Sequence, residues 1–463
     1  MYEYILWTEK KDNMKPFIHQ TATTKFILAT SKCLITSDPG TGKTRSVLDA
    51  YVQRKTGRLL VIAPLSILQA SWGDDIEKFQ PNLTYSIAYA KNREAAFQEK
   101  TDVVMTNHDA VKWLIKHPRY LKDFDTICID EFTAFKNRTS QRSKALAKFT
   151  NLFKYRIAMS GTPNTNTIRD IWHPVKLLDD GERLGRSFYK FQSEMCINIP
   201  SAFTHWGEWE DRPDAEERVS ALIGDINIRY RLEDCIDMPK RVTNTLYVTL
   251  PKKIYNQYID LQRDSVLYTK SGTINAIHAG AKVKKLLQLC TGAVYNQEGE
   301  VLSIHKDRYN LIIDLVAARK HSLVAFNWTH EKNYLTQLAD KLNISYAVID
   351  GSAPANKRGD IVRQFQAGQL QVLFCHPQSA GHGLTLTKAT TVIWASPTYN
   401  AEHYQQLNGR IYRAGQKKRT EIIQIAAKYT WEIDVYKKLD SKLNKMEDLL
   451  NLLDTYHQFA STG

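Results

Sequence analysis

With 463 residues the chain is too long for one ordinary hydrophobic core, so two domains are the natural expectation. A hydrophobic fraction of 43% and a charged fraction of 24% are those of a globular chain, and no apolar run approaches membrane-spanning length. Against 49 acidic residues stand 63 basic ones, a net charge of +14 that suits a polyanionic partner or, more blandly, a basic surface kept for solubility.

The first residues, Met1-Tyr2-Glu3-Tyr4, are acidic and aromatic where a signal peptide needs a basic start and an apolar core, which predicts an intracellular, cytoplasmic protein. Six cysteines are scattered singly with no Cys-x-x-Cys pair, and read as buried thiols rather than zinc ligands or disulfides. Short β-rich runs alternate with longer helical patterns, the signature of a parallel α/β architecture. In the first half strands are predicted at 33–36, 59–63, 103–106, 126–129 and 157–159, with helices over 44–53, 67–79 and 143–149.

The first strand runs into Ser37-Asp38-Pro39-Gly40-Thr41-Gly42-Lys43-Thr44. A strand ending in a small-residue loop with Gly-Lys-Thr is a phosphate cradle. Backbone N–H groups point at the β-phosphate, Lys43 reaches the β- and γ-phosphates, and the Thr44 hydroxyl ligates Mg2+. Ser37 stands where the standard spacing has its first glycine, so the run alone could arise by chance. The strand at 126–129 then ends in Asp130-Glu131, at the edge of a parallel sheet where ligands bind. Asp130 is expected to hold the Mg2+ and Glu131 to polarise the attacking water. Without the phosphate loop, the pair would read as two solvated acids.

From about 177 to 292 the chain turns aromatic, charged and mostly helical, and Asp237-Met238-Pro239-Lys240 breaks the periodicity. That places an N-terminal domain over 1–238, with a helical insertion at about 177–236. A C-terminal domain follows over 239–463, with a helical segment at about 250–292. Lys282, Lys284 and Lys285 read equally as duplex contacts or as a solvated helix face. Strands are next predicted at 323–326, 346–349, 372–375, 392–395 and 422–425, with helices over 332–342, 356–365 and 403–412. A last helix over about 431–454 aligns Val435, Leu439, Leu443, Met446, Leu449 and Leu453. In the run from Gln406 to Gln416, Arg410 and Arg413 lie three apart, on one face of a helix. They could neutralise charge building on a γ-phosphate, as an arginine finger does, or simply bind nucleic-acid phosphate.

Taken in order, these residues resemble superfamily 2 nucleic-acid helicases and translocases, and within them the Swi/Snf-like ATPases, from about Lys15 to Lys437. Pro16-Phe17-Ile18-His19-Gln20 is similar to the adenine-reading motif. Leu60 to Ser66, followed by Trp72 and Phe79, is similar to the motif that tracks one DNA strand, and Asn107-His108 to a second strand-contacting motif. Ser160-Gly161-Thr162-Pro163 matches the motif linking hydrolysis to nucleic-acid binding. Phe326-Asn327-Trp328, Asp350-Gly351-Ser352, Arg358 and Phe365 follow the family order. Ser379 to Thr387 resembles the motif touching both DNA and nucleotide, and Arg413-Ala414-Gly415-Gln416 with Thr430-Trp431-Glu432 points to the Swi/Snf-like branch. One departure is clear: Phe132-Thr133 stand where the family has a small residue and a histidine that bridges the ATP site to the coupling motif.

The resemblance implies two tandem RecA-like domains with parallel sheets, a mostly helical middle insertion and an ATP cleft between the domains. It implies a catalytic set of Lys43, Asp130, Glu131, Gln406, Arg410 and Arg413. ATP would be held by Gln20, Pro39, Gly40, Thr41, Gly42, Lys43, Thr44 and Gly383, and Mg2+ by Thr44 and Asp130. Ser160 and Thr162 would couple the site to DNA gripped by Pro64, Ser66, Asn107, Asn327, Trp328, Ser379, Gly381 and His382. Trp328 reads about equally as a base-stacking platform or a core tryptophan. The expected activity is an ATP-dependent DNA translocase moving along duplex DNA, in a bacterium or in the host cytoplasm of a phage. The alternative is a helicase opening forks or junctions in replication, recombination or repair. An RNA helicase and a non-catalytic nucleic-acid-binding protein are the weaker readings.

Overall fold

The computed structural model describes residues 15–460 except 55, 164–165, 202–203, 265, 270–271, 276–278, 297–298, 353–354 and 382–383. The chain divides into two compact units, Met1–Asp237 with Lys442–Gly463, and Met238–Ser441. Among the described residues no helix is long and apolar enough to cross a membrane.

In the first unit seven parallel strands form one sheet in the order β3-β4-β2-β5-β6-β1-β9. They are β1 (Lys32–Ile35), β2 (Arg58–Ala63), β3 (Tyr85–Ala88), β4 (Val103–Asn107), β5 (Phe124–Asp130), β6 (Tyr155–Met159) and, after the hairpin described below, β9 (Asn227–Ile228). Each central strand is a run of apolar residues because both faces of the sheet are covered. The two-residue period of a strand divides them. Leu59, Val61 and Ala63 enter a core with Val47, Leu48 and Trp72. Leu60 and Ile62 enter another, with Ile127, Phe132 and Phe135. Ile35 and Asp130 both pair with Met159, and Ala63 pairs with Asn107, so the carboxyl ends of β4, β2, β5, β6 and β1 line one edge.

The stretch expected to be mostly helical also contains an antiparallel hairpin, β7 (Cys196–Ser201) with β8 (Thr204–Asp211). Ile197 and Ile199 occupy alternate positions, a pattern that favours a pleated strand over a helix. In the second unit six parallel strands run β10-β19-β18-β15-β17-β16. Here β10 is Arg241–Val248, β15 Ser322–Ala325, β16 Tyr346–Ile349, β17 Val372–Cys375, β18 Thr391–Trp394 and β19 Thr420–Ala427. The edge strand β10, which the sequence pattern did not announce, pairs over its whole length with β19. The segment expected to be helical at 250–292 likewise holds a hairpin, β11 (Val266–Thr269) with β12 (Gly272–Asn275), between two helices. Tyr258 and Leu261 of the first helix pack on Leu286 and Leu289 of the second, and β13 (Ala293–Tyr295) pairs with β14 (Val301–Ser303) beyond.

Fully buried Arg308 donates to Glu432 Oε2 at 2.7 Å and also to the carbonyls of Cys290 and Ala395, while the Ala427 N–H donates to the same carboxylate oxygen. One ion pair thereby fixes the start of the C-terminal helix, Trp431–Ala460, against the ends of two strands. That helix was expected to lie wholly in a C-terminal domain. From Lys442 onward it belongs to the first unit, because Leu449 and Leu453 bury in the core of Phe132 and Ile168.

Candidate active site

The carboxyl edge of the first sheet gathers the expected nucleotide residues. After β1 the loop turns through Gly40 (φ 91°) and Gly42 (φ 81°), and the helix Lys43–Arg54 starts at once. Both glycines hold conformations that side chains avoid. An added Cβ at Gly42 would lie 2.2 Å from Gln20 Nε2, so that glycine is also needed for contact. Gln20 Nε2 and His19 Nε2 both donate to the Thr41 carbonyl, at 3.2 and 2.8 Å. Gln20 Oε1 accepts the Phe17 N–H, and the exposed Phe17 ring stacks on His19. The motif at Phe17–Gln20 is thus built directly onto the phosphate loop. Lys43 Nζ donates to the Ser37 and Asp38 carbonyls at 2.7 and 3.1 Å.

The loop is braced from a segment that sequence reasoning left out. Asp38 Oδ2 accepts the Leu232 N–H, Asp38 Oδ1 faces Arg229 at 3.4 Å, and Ser37 Oγ accepts the Tyr230 N–H. The end of the middle segment therefore walls the loop expected to cradle phosphate. The pairing of β9 with β1 brings it there.

At the end of β5, Asp130 Oδ2 accepts from the Trp72 indole at 2.9 Å and Oδ1 from the Glu131 N–H at 3.0 Å. Burial, then the neighbouring Glu131 carboxylate, push Asp130 up to about 6 against the pull of Trp72 and the Lys43 ammonium. Trp72 lies on a π-helical turn, Leu68–Gly73, inside the predicted helix at 67–79, and is fully buried. Trp72, expected within a strand-tracking motif, thus braces the Asp130 carboxylate. Glu131 adopts a left-handed backbone (φ 52°), a strained position for a side chain, and its Oε2 accepts from Ser160 Oγ at 3.1 Å. Ser160 Oγ also accepts the Thr162 N–H. A Cβ on Gly161 would sit 2.9 Å from Pro39, so the Ser160–Thr162 turn touches both the acid pair and the phosphate loop. His108 Nε2 donates to the Asp130 carbonyl at 2.8 Å. Pro64 and Ser66 follow β2 and Asn107 ends β4, all half-buried on this same edge.

Buried Thr44 and Asp130 offer a hydroxyl and a carboxylate, hard oxygen donors that fit Mg2+ completed by phosphate and water oxygens.

The remaining expected residues lie in the second unit. The helix expected over 403–412 is Ala401–Asn408, and Arg410 and Arg413 stand in the turns after it. Gly409 ends the helix, its N–H bonding Gln405 O. The arginines converge nonetheless: Arg410 and Arg413 both donate to the Leu384 carbonyl, at 3.3 and 3.0 Å. Gln406 is buried and its carbonyl accepts from Arg410 Nε, while a Cβ on Gly381 would lie 3.0 Å from Gln406 Oε1. Gln416 Nε2 donates to Thr387 and Ala389. The two motifs at 379–389 and 406–416 are thus laced together. His382 and Gly383 lie outside the described residues; Ser379 is half-buried. Asn327 spends its side-chain amide internally, donating to Ser396 and Pro397, and Trp328 is half-buried.

ATP chemistry of the helicase class is what these two sheets are equipped for. A model of the SNF2-related domain matches residues 4–293, and one of the helicase conserved C-terminal domain matches residues 307–415. The chain therefore belongs to the SNF2-related family. It is similar to protein p41 of Acyrthosiphon pisum secondary endosymbiont phage 1, 29% identical over 89% of this chain and 92% of that one. It is 24% identical to YwqA of Bacillus subtilis, a candidate ATP-dependent helicase/translocase, over 88% of this chain and 45% of that protein. Likewise it is 24% identical to the DNA annealing helicase and endonuclease ZRANB3 of Bos taurus, over 91% of this chain and 39% of that protein. The chain thus spans nearly all of the phage relative and less than half of the other two. A solved SWI2/SNF2 ATPase core from Sulfolobus solfataricus, in complex with double-stranded DNA, aligns with a TM-score of 0.44 and 22% identity, covering 96% of this chain and 94% of that one.

Proposed function

We propose that this chain is a DNA-dependent ATPase that moves along duplex DNA. The observation that carries the reading is the bonding of Glu131 to Ser160 and of Asp130 to His108, at the strand ends that also present Pro64 and Asn107. A nucleic acid lying on that edge would press on residues bonded to the hydrolytic acids. Lys43 and the loop N–H groups bind the β- and γ-phosphates, and Gln20 and Phe17 receive the adenine. Glu131 orients the attacking water, and Arg410 and Arg413 supply the positive charge that the γ-phosphate calls for in the transition state. Mg2+ held by Thr44 and Asp130 would neutralise charge on the phosphate oxygens. Contacts mainly to DNA phosphates bring little sequence preference and a steep salt dependence.

A second reading, opening of forks or junctions during replication, recombination or repair, is favoured by the likeness to a protein named a DNA annealing helicase. The phage relative, matched over nearly its whole length, supports placing the motor in bacterial cytoplasm. The test is ATP turnover with single-stranded, duplex, forked and four-way DNA and with RNA, at several salt concentrations. Duplex is expected to stimulate turnover, and Lys43→Ala to abolish it. Turnover indifferent to DNA would overturn the motor, unchanged turnover in Lys43→Ala would overturn the phosphate loop, and stimulation confined to branched substrates would favour the second reading.

A further inference from the structure

The last turns of the C-terminal helix carry two side chains that reach the segment bracing the loop at Ser37–Thr44. Glu447 Oε1 faces Arg229 at 3.8 Å, and Asn451 Oδ1 accepts from Arg231. The spacing fits, since four helical residues rise about 6 Å and two extended residues advance about 6.6 Å. Both stretches belong to the first unit. Tyr230, between the two arginines, turns the other way, onto the core of Val47 and Trp72 and toward the His19 ring, centroids 5.7 Å apart.

The Arg229 side chain is 2% exposed, and its Nε and Nη1 make no hydrogen bond among the described residues. Its buried charge is offset through one nitrogen, Nη2, set between two carboxylates, Asp38 Oδ1 at 3.4 Å and Glu447 Oε1 at 3.8 Å. A guanidinium taken out of water depends on such partners, and losing one leaves it under-compensated. Asp38 is itself tied to the loop on every side. Its N–H donates to the Tyr230 carbonyl at 3.0 Å, and its Oδ2 accepts the Leu232 N–H at 3.1 Å. Its carbonyl accepts both the Thr41 hydroxyl and Lys43 Nζ, at 2.8 and 3.1 Å. A shift of Asp38 therefore moves the loop backbone and the lysine together.

We propose that Arg229 is a positioning residue for ATP. It acts through Asp38 on the loop, and Glu447 holds it in place, so that docking of residues 442–453 and nucleotide affinity are coupled. This relay rests on the reading of Ser37–Thr44 as a phosphate loop and adds to it a control from the far end of the chain. Such coupling is reciprocal: a docked helix end raises the affinity for nucleotide, and bound nucleotide tightens the helix end.

The experiment uses the full chain with Mg2+ and a fluorescent non-hydrolysable ATP analogue. It measures the Kd of the analogue and the amide hydrogen exchange of residues 442–453. The variants are Arg229→Met, Arg229→Lys, Glu447→Gln, Lys43→Ala and the double variant Arg229→Met/Glu447→Gln. Kd is expected to rise about tenfold in Arg229→Met, to recover in part in Arg229→Lys, and to rise about threefold in Glu447→Gln. The double variant should bind no more weakly than Arg229→Met, because Glu447 acts through the arginine. The analogue should slow exchange at 442–453 in wild type and fail to do so in Glu447→Gln, a link that a purely structural ion pair would not supply. Glu447 is half-exposed, so Glu447→Gln decides the matter even where Arg229→Met does not fold. An unchanged Kd in Glu447→Gln, additive losses in the double variant, or wild-type exchange indifferent to the analogue overturns the relay and leaves the phosphate loop intact. A Kd that Lys43→Ala does not alter overturns both.

Discussion

A carbonyl oxygen can only accept, so the 2.8 Å contact between His108 and Asp130 fixes the proton on His108 Nε2. The edge of the His108 ring meets Phe135, centroids 5.3 Å apart, which sets its plane. Phe132 and Thr133, which stand where the resemblance leads one to expect a bridging histidine, are both buried. His108 reaches the acid pair from the strand end beside Asn107, and so links a candidate DNA contact to the backbone that aims Glu131. His108→Ala is therefore expected to lower duplex-stimulated kcat about tenfold, with little change in KM for ATP, and His108→Gln to recover much of it. Steady-state kinetics at saturating duplex decide. A raised KM with unchanged kcat would assign His108 to nucleotide binding instead. The loop at Ser37–Thr44 and the pair Asp130-Glu131 could be singled out as candidates because each is contiguous in sequence. The partners of Asp130 and Glu131 could not, since His108 lies 22 residues and Ser160 29 residues away and only parallel pairing brings them together.

Elements were legible where burial on two faces forces long apolar runs, as in β2 and β17, and hidden where it does not. β10 has no fully buried residue and so shows no such run, and the hairpin at Cys196–Asp211 sits in a stretch whose charges resemble a solvated helix. The helix Thr329–Lys341 illustrates a different cost. Its third residue, Glu331, caps the two preceding N–H groups from a fully buried position, and burial pushes its carboxyl up from 4.5 to about 7. Between those values the folded chain keeps a proton that the unfolded chain releases. The stability from this group is thus complete below about pH 4.5 and is lost as pH rises through 7, a loss on the order of 3 kcal/mol. Glu331→Gln keeps an acceptor for the backbone and has no proton to lose. Its denaturant midpoint for the second unit should stay level between about pH 5 and 7.5 while the wild-type midpoint falls. Parallel curves for the two proteins would show that Glu331 does not titrate in this window.

At the scale of the whole molecule, an apolar stripe tells that a helix is buried and not where. The C-terminal helix shows its stripe plainly in Val435, Leu439, Met446, Leu449 and Leu453, and the simplest extrapolation keeps it with the residues that precede it. The structure divides the stripe. Val435 and Leu439 belong to the second unit, while Leu449 and Leu453, both fully buried, join the first. A long helix permits this, because about 1.5 Å of rise per residue carries its later turns well clear of its start. The consequence is measurable at a distance in sequence from the site it supports. Leu449→Ala and Leu453→Ala should each destabilise the first unit by about 2–5 kcal/mol, since each leaves a cavity in a core shared with Phe132, which directly follows Glu131. Chemical denaturation followed through ATP-analogue binding reads the first unit, and should show its midpoint falling. If the helix end belonged instead to the second unit, ligand-reported unfolding would stay at its wild-type midpoint and only the transition of residues 238–441 would move.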